Sequence, residues 1–208
     1  MKYPDDFINK VICGDCLEVM KDKPKDKTFH YTNPEMVRDL IRLVPISEQD
    51  TILDAGSGKN KVWFNELRSK KFEFAKITDK ECTHGNYVGW CDDCEDKNKI
   101  YECEIDDGCD FFEWDKKVDW VIGNPPFHLG WAFLDKASEI AEKGIAFLGN
   151  LNFWNSCLPN RFEKLKEKGF YLNKIHILQD KRWFGRYYFL VFEKKENNFV
   201  SWNTNTYE

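Results

Sequence analysis

The hydrophobic pattern of the chain alternates between short apolar runs and longer amphipathic segments. Short runs typical of buried strands occur near residues 51–54, 73–77, 100–105, 118–123, 144–149, 171–178 and 187–193. Apolar residues recur at helical spacing near 34–44, 60–68, 130–142 and 158–168, the last followed by Gly169, a common helix terminator. This alternation predicts an α/β fold, with a mainly parallel sheet and helices on both faces. Too few residues separate the last two strands for a crossover helix, so we expect them to form an antiparallel hairpin.

Nothing in the sequence divides the chain into separate domains. Its 208 residues contain no internal repeat or low-complexity linker, and 42% of them are hydrophobic, enough for one substantial core. We predict a single domain over residues 1–208, with an insert at about residues 79–98. No apolar run has membrane-spanning length and no secretory signal follows Met1, which predicts a cytoplasmic protein. Its eight cysteines are then expected to be thiols or metal ligands rather than disulfides.

Two motifs stand where predicted strands end. In Asp54-Ala55-Gly56-Ser57-Gly58, the glycines let the backbone approach a ligand closely, and Asp54 can hold a polar cofactor. In Asn124-Pro125-Pro126-Phe127, the two prolines end the preceding strand and stiffen the turn. Ligands of open α/β sheets bind at the carboxyl ends of strands, so the two motifs together predict one site.

The pair of motifs resembles those of a known family. It is similar to the cofactor-binding and catalytic motifs of S-adenosylmethionine-dependent amino-methyltransferases, in particular the adenine-N6 DNA methyltransferases. The resemblance implies a Rossmann-like class I methyltransferase fold, S-adenosylmethionine as cofactor and DNA as partner.

The segment His30-Tyr31-Thr32-Asn33-Pro34 extends the resemblance. It is similar to the family's aromatic-Thr-Pro segment, which implies that Tyr31 and Thr32 contact the methionine moiety of the cofactor, although here an extra Asn33 precedes the proline. Thr32 or Asn33 can also cap a helix that begins at Pro34.

Acidic residues between the two motifs resemble the family's ribose and adenine positions. The resemblance implies that Glu104 binds the ribose hydroxyls and that Asp110 and Phe111 receive the cofactor adenine. A carboxylate suits a vicinal diol because it can accept two hydrogen bonds. Asp79 remains an alternative to Glu104 for the ribose.

The family resemblance also implies a role for each residue of the second motif. Asn124 and the backbone carbonyl of Pro125 accept hydrogen bonds from the exocyclic amino group of adenine, which draws its nitrogen toward tetrahedral geometry and into line with the methyl sulfonium. Pro126 fixes the turn, and Phe127 stacks on the extruded base. We therefore expect direct methyl transfer, without a metal or a covalent intermediate.

Charge is distributed unevenly along the chain. The net charge is -5, but the part from Leu151 onward contains ten Lys and Arg residues and only six acidic residues, so it carries a net positive charge. Within it, cationic and aromatic side chains alternate in a pattern suited to nucleic-acid phosphates and bases, which predicts contacts from Lys181, Arg182, Trp183 and Arg186.

The predicted insert contains a Cys-x-His pair and a Cys-x2-Cys pair. Cys82, His84, Cys91 and Cys94 could form a tetrahedral zinc site, which would explain thiols in a surface segment. Other quartets remain open, combining Cys13 and Cys16 with Cys91 and Cys94, or with Cys103 and Cys109.

Several functions remain open beside adenine methylation of DNA. The same Asn-Pro-Pro-aromatic turn serves enzymes that methylate adenine or guanine amino groups in RNA, or glutamine amides in proteins, and Phe127-His128 resembles some guanine-specific RNA methyltransferases. A non-enzymatic alternative is a methyltransferase-like partner subunit. The chain shows no target-recognition domain, so recognition could come from the insert, from the segment around Arg182 or from a second subunit.

Overall fold

The computed structural model describes residues 32–77, 100–180 and 185–196, with the backbone alone for 71–77. The helices, in chain order, are α1 (Pro34–Ile41), α2 (Val62–Ile77), α3 (Gly130–Ile140), α4 (Leu151–Ser156) and α5 (Pro159–Glu167). The strands are β1 (Ile52–Ala55), β2 (Ile100–Cys103), β3 (Val118–Gly123), β4 (Ala141–Asn150), β5 (Tyr171–Leu178) and β6 (Tyr187–Glu193). Short 3-10 turns span Ile105–Asp107, Phe111–Glu113 and Phe127–Leu129.

The six strands form one sheet in the order β2-β1-β3-β4-β6-β5. Strands β2, β1, β3 and β4 pair in parallel, whereas β6 is antiparallel to both of its neighbours. The predicted fold class is therefore confirmed: a mainly parallel sheet ends in an antiparallel hairpin.

Helices cover both faces of the sheet because successive strand side chains point to opposite sides. On one face, α1 and α2 share a buried apolar cluster with Ile52 and Trp120; on the other, α3, α4 and α5 share one with Leu53 and Val121. All four of these strand residues are buried. The result is three layers, with the carboxyl ends of the parallel strands at one edge.

The strand predicted near residues 73–77 is wrong, because α2 continues to Ile77. Phe72-Glu73-Phe74 alternates like a strand, but Phe74 also lies seven residues after Leu67, at helical spacing. No glycine or proline interrupts residues 62–77, and each residue added to an existing helix gains a hydrogen bond without a new nucleation cost.

Helix α4 is absent from the sequence-based prediction. Its six residues are too few to show a helical period, but Asn150 is a recognisable cap: its Oδ1 accepts the N–H groups of Asn152 and Phe153 at 3.0 and 3.1 Å. The helix packs closely on α3, since a Cβ added to Gly130 would lie 1.9 Å from the Phe153 ring.

A disulfide joins Cys103 and Cys109, whose Cα atoms are 5.1 Å apart. The expectation of thiols or metal ligands is wrong for this pair. That expectation came from the cellular compartment, whereas the pairing depends on a local turn in which Gly108 has φ +86° and folds Cys109 back toward the end of β2. Cys157 is a free thiol, and burial raises its pKa to about 11.

Among the described residues, no helix is both long and apolar enough to cross a membrane.

Candidate active site

The ends of β1, β2 and β3 bring the two sequence motifs together. In the parallel register Asp54 lies opposite Glu102 of β2 and opposite Ile122 of β3. The turns that follow these strands therefore emerge side by side at the carboxyl edge of the sheet, where α/β proteins bind ligands.

The glycine turn after β1 is held by the end of β2. The N–H groups of Gly56 and Ser57 donate to the carbonyl of Cys103 at 2.9 and 3.2 Å, and the N–H of Gly58 donates to the Glu104 carboxylate at 2.6 Å. Gly56 and Gly58 have φ of +73° and +67°, a backbone conformation that favours glycine. Glu104 thus shapes the turn and, being partly exposed, also faces its surroundings.

Asp54 lies beneath this turn and is fully buried. Its Oδ2 accepts the N–H of Phe64 at 2.9 Å near the start of α2, while its Oδ1 is buried with no hydrogen bond to any described residue. Burial, with added repulsion from Glu102 and Glu104, raises its pKa well above the ordinary value, although the Phe64 hydrogen bond opposes the shift. Asp54 therefore has no exposed surface for a ligand, and any influence on cofactor binding acts through the turn and α2.

Lys61 links the glycine turn to the loop after β2. Its Nζ lies 2.5 Å from Oε1 of Glu102 and 3.0 Å from Oδ2 of Asp107. The hydrogen bonds that Lys61 donates to these carboxylates raise its pKa, most strongly the bond to Glu102. Lys61 also has φ +47°, an uncommon value for a residue other than glycine.

Asn124 is oriented by a residue from the other end of the described chain. Its Nδ2 donates to Oγ1 of Thr32 at 3.3 Å, and its Oδ1 is buried without a hydrogen bond to a described residue. A buried carbonyl without a donor is costly, so this atom is suited to accept a hydrogen bond from an incoming amino group.

The rest of the Asn-Pro-Pro-Phe turn lies against the glycine turn. A Cβ placed on Gly56 would be 3.8 Å from Cδ of Pro126. The carbonyl of Pro126 accepts the N–H of Leu129 at 2.9 Å, whereas that of Pro125 receives no hydrogen bond from the described residues. Phe127 is partly buried, with its ring 5.9 Å from the ring of Tyr187 in β6. The turn therefore presents two carbonyl acceptors and one aromatic ring.

Asp110 and Phe111 follow the loop after β2, and the phenyl ring of Phe111 points into the core. Asp110 caps the 3-10 turn by accepting the N–H of Phe112 at 2.9 Å. Phe111 is only 4% exposed and stacks on Phe133 at 4.8 Å. The exposed apolar residues here are Phe112 and Ile105, at 41% and 70%.

Ile105 and Phe112 were not singled out from the sequence. The available signal was their position, Ile105 directly after Glu104 and Phe112 two residues after Asp110. An apolar side chain left exposed next to a strand-end carboxylate is informative, because large apolar residues usually lie inside.

Several predicted residues lie outside the described part of the chain: Tyr31, Asp79, the zinc candidates Cys82, His84, Cys91 and Cys94, and the nucleic-acid candidates Lys181, Arg182 and Trp183. Arg186 is described and is exposed directly before β6. Within the described residues, no cluster of three or more His, Cys, Asp or Glu side chains could hold a metal ion. The zinc prediction concerns other residues and stays a prediction.

No family model and no curated protein sequence matches the chain. Among solved structures with a similar fold, TrmN from Thermus thermophilus has 19% sequence identity and a TM-score of 0.50 over 79% of this chain and 49% of that one. A modification subunit assigned to a type I restriction enzyme from Vibrio vulnificus has 14% identity and a TM-score of 0.56, over 86% and 47%. A protein described as a methylase from Clostridium difficile has 14% identity and a TM-score of 0.50, over 80% and 54%.

The chain thus spans about half the length of each of these three structures. At such low identity the similarity concerns the fold alone. It agrees with a mainly parallel sheet that ends in an antiparallel hairpin. The chain has the Rossmann-like fold of class I methyltransferases.

Proposed function

We propose that the protein transfers a methyl group from S-adenosylmethionine to the exocyclic amino group of adenine in DNA. The observation that carries the proposal is the orientation of Asn124. Its NH2 group is engaged by Thr32, and its carbonyl oxygen lacks a donor. A hydrogen-bond acceptor in that place fits an amino group, which donates, and does not fit a carbonyl, which can only accept.

The residues beside the glycine turn fit the proposed cofactor. Glu104 offers a partly exposed carboxylate for a ribose, and Ile105 and Phe112 are exposed apolar side chains available to a planar ring. The turn has no side chain at Gly56 or Gly58, which leaves its backbone open to close approach. When bound, S-adenosylmethionine would supply an electrophilic methyl group and leave as the neutral thioether S-adenosylhomocysteine, and the methylated nitrogen would release one proton to water.

The chain's own residues would act on the acceptor nitrogen. An exocyclic amino nitrogen is a weak nucleophile because its lone pair is delocalised into the ring. Hydrogen bonds to Oδ1 of Asn124 and the carbonyl of Pro125 would localise that lone pair and fix the direction of attack. Phe127 would stack on the extruded base, and the prolines would keep both acceptors rigid.

The adenine and DNA assignments rest on the motif resemblance and on the basic part of the chain after Leu151. RNA is the alternative, because the same turn serves amino groups on RNA bases. A protein amide as acceptor and a partner subunit without turnover also remain alternatives. The Asn124 geometry favours a catalytic role over the last of these, because a subunit without turnover needs no free acceptor at that position.

Radiolabelled S-adenosylmethionine offered with DNA, RNA and protein pools would test the proposal, with mass spectrometry of the labelled product. We expect N6-methyladenine in DNA. The variant Asn124→Ala should lower the rate at least about 100-fold while cofactor affinity changes little. If the label were found only in RNA or only in protein, that molecule and not DNA would be the substrate. An absence of label in every pool, from protein that binds the cofactor, would overturn the enzymatic function.

A further inference from the structure

We infer that Thr32 is a positioning residue for methyl transfer, which holds the Asn124 side chain so that its carbonyl oxygen faces the acceptor amino group. The inference rests on the proposed function and deepens it. The family resemblance places Thr32 against the cofactor; the structure instead brings its hydroxyl to the catalytic turn, 92 residues along the chain.

An asparagine at this position must be held in one orientation. The two ends of its amide are similar in size and opposite in hydrogen-bonding character. With the amide reversed, its NH2 would meet the NH2 of the acceptor, so neither group could accept a hydrogen bond. A contact that keeps the Asn124 NH2 turned away from the acceptor is therefore a condition for catalysis.

Thr32 provides that contact from a well-supported position. It is 7% exposed and lies directly before Asn33, whose Oδ1 accepts the N–H of Glu35 at 2.8 Å and caps α1. Helix α1 is anchored in turn by the buried side chains of Val37 and Leu40. The threonine hydroxyl is thus presented by a capped and packed helix start, and its contact fixes the position of the Asn124 amide. A hydroxyl can accept or donate, so the orientation with NH2 on Thr32 is completed by an amino group that donates to Oδ1 on the other side.

Two substitutions separate this role from a cofactor contact. Thr32→Val keeps the shape and removes the hydroxyl, whereas Thr32→Ser keeps the hydroxyl. Turnover should be measured with nucleic acid and cofactor both saturating, and affinity for S-adenosylhomocysteine by calorimetry. We expect Thr32→Val to lower kcat about tenfold, the effect of about one hydrogen bond, with dissociation constants within about twofold of wild type. Thr32→Ser should restore kcat.

A change at Asn124 itself gives the sharper test. In Asn124→Ala there is no amide for Thr32 to position. Adding Thr32→Val to Asn124→Ala should therefore cost no further activity. A full tenfold loss in this background would overturn the inference, as would a Thr32→Val variant with weaker cofactor binding and an unchanged kcat. Either result would leave the proposed function intact, whereas wild-type protein that transfers no methyl group would remove both.

Side-chain NMR provides a readout that does not depend on activity. With selective 15N labelling of asparagine, the NH2 resonances of Asn124, assigned from their loss in Asn124→Ala, should be protected from exchange in wild type and in Thr32→Ser. They should lose that protection in Thr32→Val while the other resonances stay in place. Unchanged protection in Thr32→Val would contradict the inference even where Asn124→Ala has too little turnover to measure.

Discussion

Among single residues, Glu104 has two tasks, one observed in the structure and one proposed. Its position after β2 predicts a ligand-binding acid, whereas its observed hydrogen bond to Gly58 depends on how the two loops meet in space. A carboxylate with two oxygens can hold the turn with one and a ribose hydroxyl with the other.

Replacing Glu104 by Gln tests the second task. The glutamine carbonyl can still accept the Gly58 N–H, but the charged acceptor for a ribose is lost. We expect the affinity for S-adenosylhomocysteine, measured by calorimetry, to fall about tenfold or more. The matched control is Asp106→Asn in the same loop, an exposed acid whose partner Lys59 is 3.7 Å away. Equal losses in both variants would mean that loop charge, and not Glu104, determines binding.

Asp54 has a different place in the structure from the one that its motif predicts. The sequence indicated a cofactor contact, but the fold encloses Asp54 completely. Strand register and the packing of α2 decide that burial, and neither can be deduced from a five-residue motif.

The raised pKa of Asp54 predicts a pH effect on stability. The unfolded carboxyl ionises near its ordinary pKa, whereas the folded one ionises only at higher pH, so the free energy of unfolding falls as pH rises from about 4 through the raised pKa. Asp54→Asn keeps an acceptor for the Phe64 N–H and removes the titration. Urea unfolding between about pH 4 and about pH 8 should show the variant gaining stability relative to wild type as pH rises. A constant difference across that range would contradict this role.

At the scale of elements, the amino edge of the sheet is held by one buried carboxylate. Asp50, 1% exposed, accepts hydrogen bonds from Ser47, from Nε1 of Trp120 at 3.0 Å and from Nζ of Lys143 at 2.5 Å. Burial alone would raise the pKa of Asp50, but the hydrogen bonds from Lys143 and Ser47 lower it overall. The segment before β1 is thereby fixed to β3 and β4.

Asp50→Asn should reveal the strength of this connection. The amide NH2 cannot accept, so some of these donors lose their partner, and we expect the free energy of unfolding to fall by about 2 kcal/mol at neutral pH. Lys143 is half exposed, so its ion pair contributes the smaller part. Because the pKa of Asp50 is lowered in the folded protein, the greater stability of wild type over Asp50→Asn should be lost as pH falls below about 4. Asp115→Asn, at an exposed position, is the control and should leave stability unchanged.

The loop after β2 is closed by the Cys103–Cys109 disulfide, which also positions part of the site. The carbonyl of Cys103 holds the glycine turn, and Glu104 is the next residue. We expect Cys109→Ser to lower the free energy of unfolding by about 2 kcal/mol without reductant. A dithiol reductant should lower the free energy of unfolding of wild type by a similar amount and leave that of the variant unchanged. A wild-type stability that does not respond to reductant, with free thiols confirmed by mass, would contradict a stabilising disulfide.

The sequence predicted which elements exist better than where they end. Strands β1, β3, β5 and β6 lie where their apolar runs predicted them, because each run is short and bounded by turn residues. Helix α2 is longer than predicted because Phe72-Glu73-Phe74 fits both periods, and continuing an existing helix adds hydrogen bonds without a new nucleation cost. Helix α4 follows from the cap at Asn150 and its packing on α3, a contact that local sequence does not reveal.

For the molecule as a whole, the direction of β6 determines which basic residues can act with the site. Strand β6 is antiparallel to β4, so it begins at the carboxyl edge, where Tyr187 pairs with Asn150, and ends at the amino edge near Gly144. Arg186 therefore lies beside Tyr187, whose ring is close to Phe127, whereas Lys195 follows the far end of the same strand. Both cations are exposed, and they lie at opposite edges of the sheet.

This arrangement predicts that only one end of β6 contributes to nucleic-acid binding. If Arg186 contacts a phosphate, Arg186→Ala should weaken binding of a short labelled DNA and lower the slope of log K against log salt by about 1. Lys195→Ala removes the same charge from the whole protein and should change neither quantity. Fluorescence anisotropy over a salt series, with single-stranded and duplex DNA, measures both. Equal effects of the two substitutions would mean that the overall charge of the protein drives binding. The DNA would then not be positioned at the carboxyl edge of the sheet.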